Sequence, residues 1–138
     1  MRIILLTLFV TLSTLLTTSQ AFASIELQIQ TAVSASTERQ IERYSYNFGR
    51  VPLYSSQYAR YKLTNTGTTP LTFQQARIGG SGYSADHTCT SILQPQEVCQ
   101  FTIRYNPVFD GLSSGRFILS FVENLDIVVD LWGEGYRF

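Results

Sequence analysis

The sequence is poor in the residues that carry chemistry. Its 138 residues include a single histidine, two cysteines, one methionine and one lysine, Lys62, against nine arginines. One histidine and two cysteines leave little from which to build a zinc site or a histidine-centred nucleophilic triad. Ten basic and ten acidic residues cancel, so the basic excess of a nucleic-acid binder is missing and nucleic acid is set aside as a partner. Past Leu16 no apolar run approaches the ~20 residues of a membrane-spanning helix. Nor does any later segment carry a long apolar stripe at helical spacing. These shortages point away from an enzyme, a cofactor and a bound metal.

What is present starts with an export pattern. Met1-Arg2 precedes an almost unbroken apolar run from Ile3 to Leu16, a polar stretch from Thr17 to Gln20, and Ala21-Phe22-Ala23. One positive charge, an apolar segment of about 14 residues and small side chains at the positions a signal peptidase reads make a secretory signal, with cleavage expected after Ala23. The remaining 115 residues, Ser24 to Phe138, suffice for one domain and not for two. A lipid anchor requires Cys where Ser24 stands, so the expected product is secreted or periplasmic, with no membrane tether.

From residue 57 onward, apolar and polar residues alternate with a period of two, as in strands with one buried face. Ala59, Tyr61 and Leu63 alternate with Tyr58, Arg60, Lys62 and Thr64; Phe101, Ile103 and Tyr105 alternate with Gln100, Thr102 and Arg104. Phe117, Leu119 and Phe121 repeat the pattern, as do Ile127, Val129 and Leu131, and each apolar set is assigned to the core. Asn65-Thr66-Gly67 is expected as a hairpin-type turn with Gly67 at positive φ. Turns are also expected at Gly79 to Gly82, at Asp110-Gly111 and at Glu123-Asn124. Many short strands so punctuated argue an all-β sandwich. Its abundant aromatic residues, eight Tyr, nine Phe and one Trp, would fill a two-sheet core. Ahead of it, Ile25 to Gln30 also alternates. The expected organisation is a signal peptide (1–23), an N-terminal strand and loop (24–42) and a sandwich domain (43–138). The strand either caps an edge of its own sheet or is donated to a partner.

Cys89 and Cys99 are the only cysteines, and an exported chain meets an oxidising compartment, so they are expected to pair. Closing a loop of this length stabilises by ~2.5–3 kcal/mol. A metal site of His87, Cys89 and Cys99 lacks the paired spacing of zinc ligands. Gly80-Ser81-Gly82-Tyr83-Ser84-Ala85 matches a dinucleotide fingerprint in form only, because no helix follows it; it reads as a turn returning Tyr83 to the core. His87 beside Asp86 is expected in a solvated loop. Gly79-Gly80-Ser81-Gly82-Tyr83 misses the spacing of a nucleophile elbow. Asp126 and Asp130 lie ~13 Å apart along one strand face, too far for paired carboxylate chemistry, and read as a wet face.

Several stretches together resemble a known family. They are Phe48-Gly49-Arg50-Val51, Leu63-Thr64-Asn65-Thr66-Gly67, Pro70-Leu71-Thr72-Phe73, the two cysteines around Leu93-Gln94-Pro95, Phe101 to Pro107, and the closing Gly133-Glu134-Gly135. They resemble the abnormal-spindle/hydin-type immunoglobulin-like domains of the major sperm protein superfamily, as found in exported bacterial proteins. The resemblance implies a seven-stranded antiparallel immunoglobulin-like β-sandwich, here with an extra N-terminal strand and the disulfide. It also implies a scaffold or binding surface rather than a catalyst. The expected function is a protein-interaction or structural module of the cell envelope, with another envelope or extracellular protein as partner. Tyr58, Arg60, Lys62 and Arg104 point away from the core and are the candidate contact residues, Tyr and Arg being enriched at binding hot spots. The alternatives are a chaperone-like strand-donation protein, although pilus chaperones need two such domains, and an exported enzyme inhibitor acting through the 79–88 loop.

Overall fold

The computed structural model describes residues 25–29 and 38–138; the expected signal segment lies outside them. The described residues form nine strands and no helix: β1 (Ile25–Ile29), β2 (Gln40–Pro52), β3 (Gln57–Asn65), β4 (Leu71–Gly79), β5 (Tyr83–His87), β6 (Ile92–Leu93), β7 (Val98–Tyr105), β8 (Gly111–Phe121) and β9 (Leu125–Tyr136). They build an all-β sandwich of two sheets, one ordered β1-β3-β7-β5 and the other β2-β9-β8-β4-β6. Removing the N-terminal β1 and the two-residue β6 leaves the seven strands expected of an immunoglobulin-like fold. The central pairings are antiparallel, whereas β1 joins β3 and β2 joins β9 in parallel.

The alternation of the sequence is the alternation of the sheets. Leu63, Phe101, Ile103 and Tyr105 from one sheet meet Phe117, Leu119, Phe121, Ile127, Val129 and Leu131 from the other, all essentially excluded from solvent. Phe101 stacks on its cross-strand neighbour Tyr61 at 4.7 Å and on Phe117 of the opposite sheet at 4.8 Å, so one ring ties the layers together. β1 contributes Leu27 and Ile29 to this core, and the Ile29 carbonyl accepts the Thr66 N–H at 2.9 Å. It therefore caps the β3 edge of its own domain.

Two turns differ from the expectation. Asn65-Thr66-Gly67 is not a hairpin, because β3 and β4 lie in different sheets, and Gly67 is not among the residues with positive φ. The stretch is a sheet-to-sheet crossing organised by Asn65, which is fully buried. Its Nδ2 donates to the Thr69 and Leu93 carbonyls at 2.9 and 3.0 Å, and its Oδ1 accepts the Gly67 N–H at 3.1 Å. A side chain that supplies such bonds removes the need for a tight turn. The 79–88 segment is not a loop either. Gly80 (φ 111°) and Gly82 (φ 84°) make a short turn, after which Tyr83 to His87 pairs with β7 as an edge strand. Tyr83 returns to the core as expected, its hydroxyl donating to the Ser113 carbonyl at 3.0 Å. Cys89 and Cys99 form the disulfide, with Cα atoms 4.9 Å apart, and it fastens the chain after β5 to β7.

Candidate functional site

The four candidate contact residues fall on one surface. Tyr58, Arg60 and Lys62 alternate along the outer side of β3, and Arg104 stands opposite Tyr58 on β7, so all four project from the outer face of the four-stranded sheet. Local contacts hold them. The Arg60 guanidinium lies 5.7 Å from the Tyr58 ring centre, Arg104 Nε donates to Ser56 Oγ at 2.8 Å, and Lys62 Nζ stands 3.6 Å from Glu26 Oε1 on β1. Tyr58 keeps 47% of its surface exposed. An exposed ring beside guanidinium groups already constrained by neighbours can be desolvated with little loss of side-chain freedom, which is what a protein contact requires.

The outer face of the five-stranded sheet holds features that the sequence did not reveal. Asp126 and Asp130 are not simply wet. Arg39 grips Asp126 through two bonds of 2.6 and 2.7 Å, and Asp130 sits between Arg116 at 2.6 Å and Arg43 at 3.1 Å. The Arg39 bonds hold the Asp126 carboxyl below the usual carboxylate range, and those of Arg116 and then Arg43 do the same for Asp130. Arg39 and Arg43 lie 87 residues from their partners, so no local pattern announces the pairs; parallel β2–β9 pairing creates them. Trp132 stands on the same face between Asn47 and Ser114 of the flanking strands and is 47% exposed.

The residues weighed for chemistry do not converge. Ser81 lies in the turn that precedes β5 and His87 ends that strand, so its length of about 13 Å separates them. His87 is at the end of a strand rather than in a loop, and its ring packs 4.9 Å from that of Phe73. The disulfide consumes both sulfurs of the His87, Cys89 and Cys99 set. Among the described residues no group of three or more His, Cys, Asp or Glu side chains is placed to hold a metal ion.

With the two sheets, the crossing at Asn65 and the disulfide established, comparison with known proteins decides the family. The model of the HYDIN/CFA65/VesB-like, Ig-like domain matches residues 39–127. The chain belongs to this family. The match runs from the approach to β2 to the first residues of β9, and so leaves out β1 and most of β9. Among solved structures, the ASH/PapD-like domain of human CEP192 (PapD-like domain 7) aligns with a TM-score of 0.56 at 11% identity, over 70% of this chain and 84% of that one. The secreted serine protease VesC from Vibrio cholerae aligns with a TM-score of 0.53 at 17% identity, over 64% of this chain. The aligned part is 21% of VesC, so the chain spans about a fifth of that protease. At these identities the likeness is one of fold. No curated protein matches the chain.

Proposed function

We propose that the protein is an exported, non-catalytic immunoglobulin-like module of the cell envelope that binds another protein through the outer face of its four-stranded sheet. The observation that carries this reading is the collection of Tyr58, Arg60, Lys62 and Arg104 on one exposed face, with the arginines already held by neighbouring side chains. The disulfide suits an oxidising compartment, and the Met1–Ala23 segment has the parts of a signal peptide cleaved after Ala23, leaving a strand and loop (24–42) and a sandwich (43–138). That VesC, which shares the fold over part of its length, is a secreted protein supports the same address. Balanced charge argues against nucleic acid as the partner.

The test is affinity capture of tagged protein from a lightly crosslinked envelope and periplasmic extract, with partners identified by mass spectrometry. One reproducible partner that disappears when Arg60 and Arg104 are both changed to Glu is the expected result. A partner retained by that double variant, with its melting temperature unchanged, refutes the assignment of the surface.

A further inference from the structure

The outer face of the five-stranded sheet carries a second surface, distinct in position and chemistry from the first. Trp132 is the only tryptophan of the chain and lies one strand in from the β2 edge of this face, because β9 is flanked by β2 and β8. Its cross-strand neighbours, Asn47 and Ser114, are small, so the indole stands as a ridge with a trough on each side. One trough, about 460 Å³, is floored by Gly79, Gly80, Gly115 and Ser114; the other, about 390 Å³, includes Asn47, Gly49, Gly133 and Leu112.

Gly79 is informative. Its φ is not in the left-handed region, and a Cβ placed there would meet nothing within 4 Å, so neither backbone nor packing demands glycine. By contrast, a Cβ at Gly115 would strike the Tyr83 ring at 2.6 Å. Gly79 lines the trough beside Trp132, where a larger side chain would take up its space. Polar groups close the ends of the troughs: the Arg116–Asp130 pair in one, the Arg50–Glu134 pair, 3.6 Å apart, in the other.

The geometry points to a saccharide site centred on Trp132. Three physical requirements select the ligand. The main-chain groups of β9 are occupied by β2 and β8, so an extended peptide laid on this face gains no ladder hydrogen bonds. The charged side chains beside the troughs are paired among themselves, three arginines with two carboxylates, so they leave a single excess positive charge and call for no highly charged ligand. The exposed indole suits an apolar face, while the arginines, Glu134, Asn47 and Ser114 offer a dense array of further donors and acceptors to the same small molecule. A pyranose ring has an apolar C–H face and a rim of hydroxyls, and meets all three.

Because Trp132 is the sole tryptophan, its fluorescence reports on this site alone. The full chain is titrated with a β-1,4-linked glucose tetramer, a β-1,4-linked N-acetylglucosamine tetramer and soluble peptidoglycan glycan strands. A saturable change with at least one of them, at a Kd of about 1 mM or below, is expected. Gly79→Leu, which fills the trough without touching the core, should weaken that binding at least tenfold with the melting temperature unchanged; Trp132→Ala, followed by calorimetry, should abolish it. No saturable change with any of the three sugars, undiminished binding in both variants, or a response to an extended heptapeptide in place of the sugars would each overturn the site.

Discussion

At the scale of single residues, the side chains that matter most are those whose partners lie far away in sequence. Asn65 looks like one polar residue in a turn, yet its buried amide ties three backbone groups together across the sheet-to-sheet crossing. Asn65→Ala should cost about 2–3 kcal/mol, since the buried Leu93 carbonyl loses its donor, and urea unfolding measures it. Asp126 and Asp130 should contribute acid sensitivity to the domain. Their folded pKa values lie below the unfolded value, so the stability they contribute is complete above the ordinary aspartate range, ~3.9, and is lost as pH falls through the lower folded values. The double variant Asp126→Asn/Asp130→Asn should therefore melt lower at pH 7. Its melting temperature should also vary less than that of the parent between pH ~4 and ~2. Equal slopes for the two proteins would show that the arginine pairs add nothing to folding.

At the scale of elements, β1 is the instructive case. Alternation identified it as a strand, and the family match, which begins at residue 39, does not include it. It nevertheless belongs to the fold: Leu27 and Ile29 are buried in the common core, and the strand continues the β3 ladder in parallel. Burying a leucine among Leu63 and its neighbours is a hydrophobic contribution that an accessory tail does not make. Leu27→Ala should lower stability by about 2–4 kcal/mol, measured by urea unfolding; a cost below about 0.5 kcal/mol would mark β1 as a detachable flap. Glycines set the spacing of other elements. Gly133 lets β9 run beneath the Tyr105 ring, and Gly135 admits Pro107 and the Phe109 carbonyl, so the closing Gly133-Glu134-Gly135 is a packing requirement at both glycines.

At the scale of the whole molecule, the domain is closed by its ends, since β2 near the start pairs with β9 at the finish, from Gln40 against Leu125 to Pro52 against Tyr136. A chain truncated after Glu123 loses β9 from between β2 and β8 of the five-stranded sheet and should show no cooperative thermal transition by circular dichroism; a retained transition would mean that the four-stranded sheet folds alone. The period of two along β3, β7, β8 and β9, the core residues on their inner faces, the pairing of two lone cysteines and the immunoglobulin-like class were all legible in the sequence, because side-chain direction along a strand is a local property. The outward direction of Tyr58, Arg60, Lys62 and Arg104 was legible for the same reason. Which sheet each strand joins was not, so the Asn65 crossing read as a hairpin and the β5 strand as a loop. The arginine–aspartate pairs and the troughs beside Trp132 were equally hidden, since each is assembled from strands whose adjacency is absent from any local pattern. Composition and alternation determined the class of fold and which face of each strand looks outward; only the tertiary structure decided which outward residues meet, because that depends on strand order and register across the whole chain.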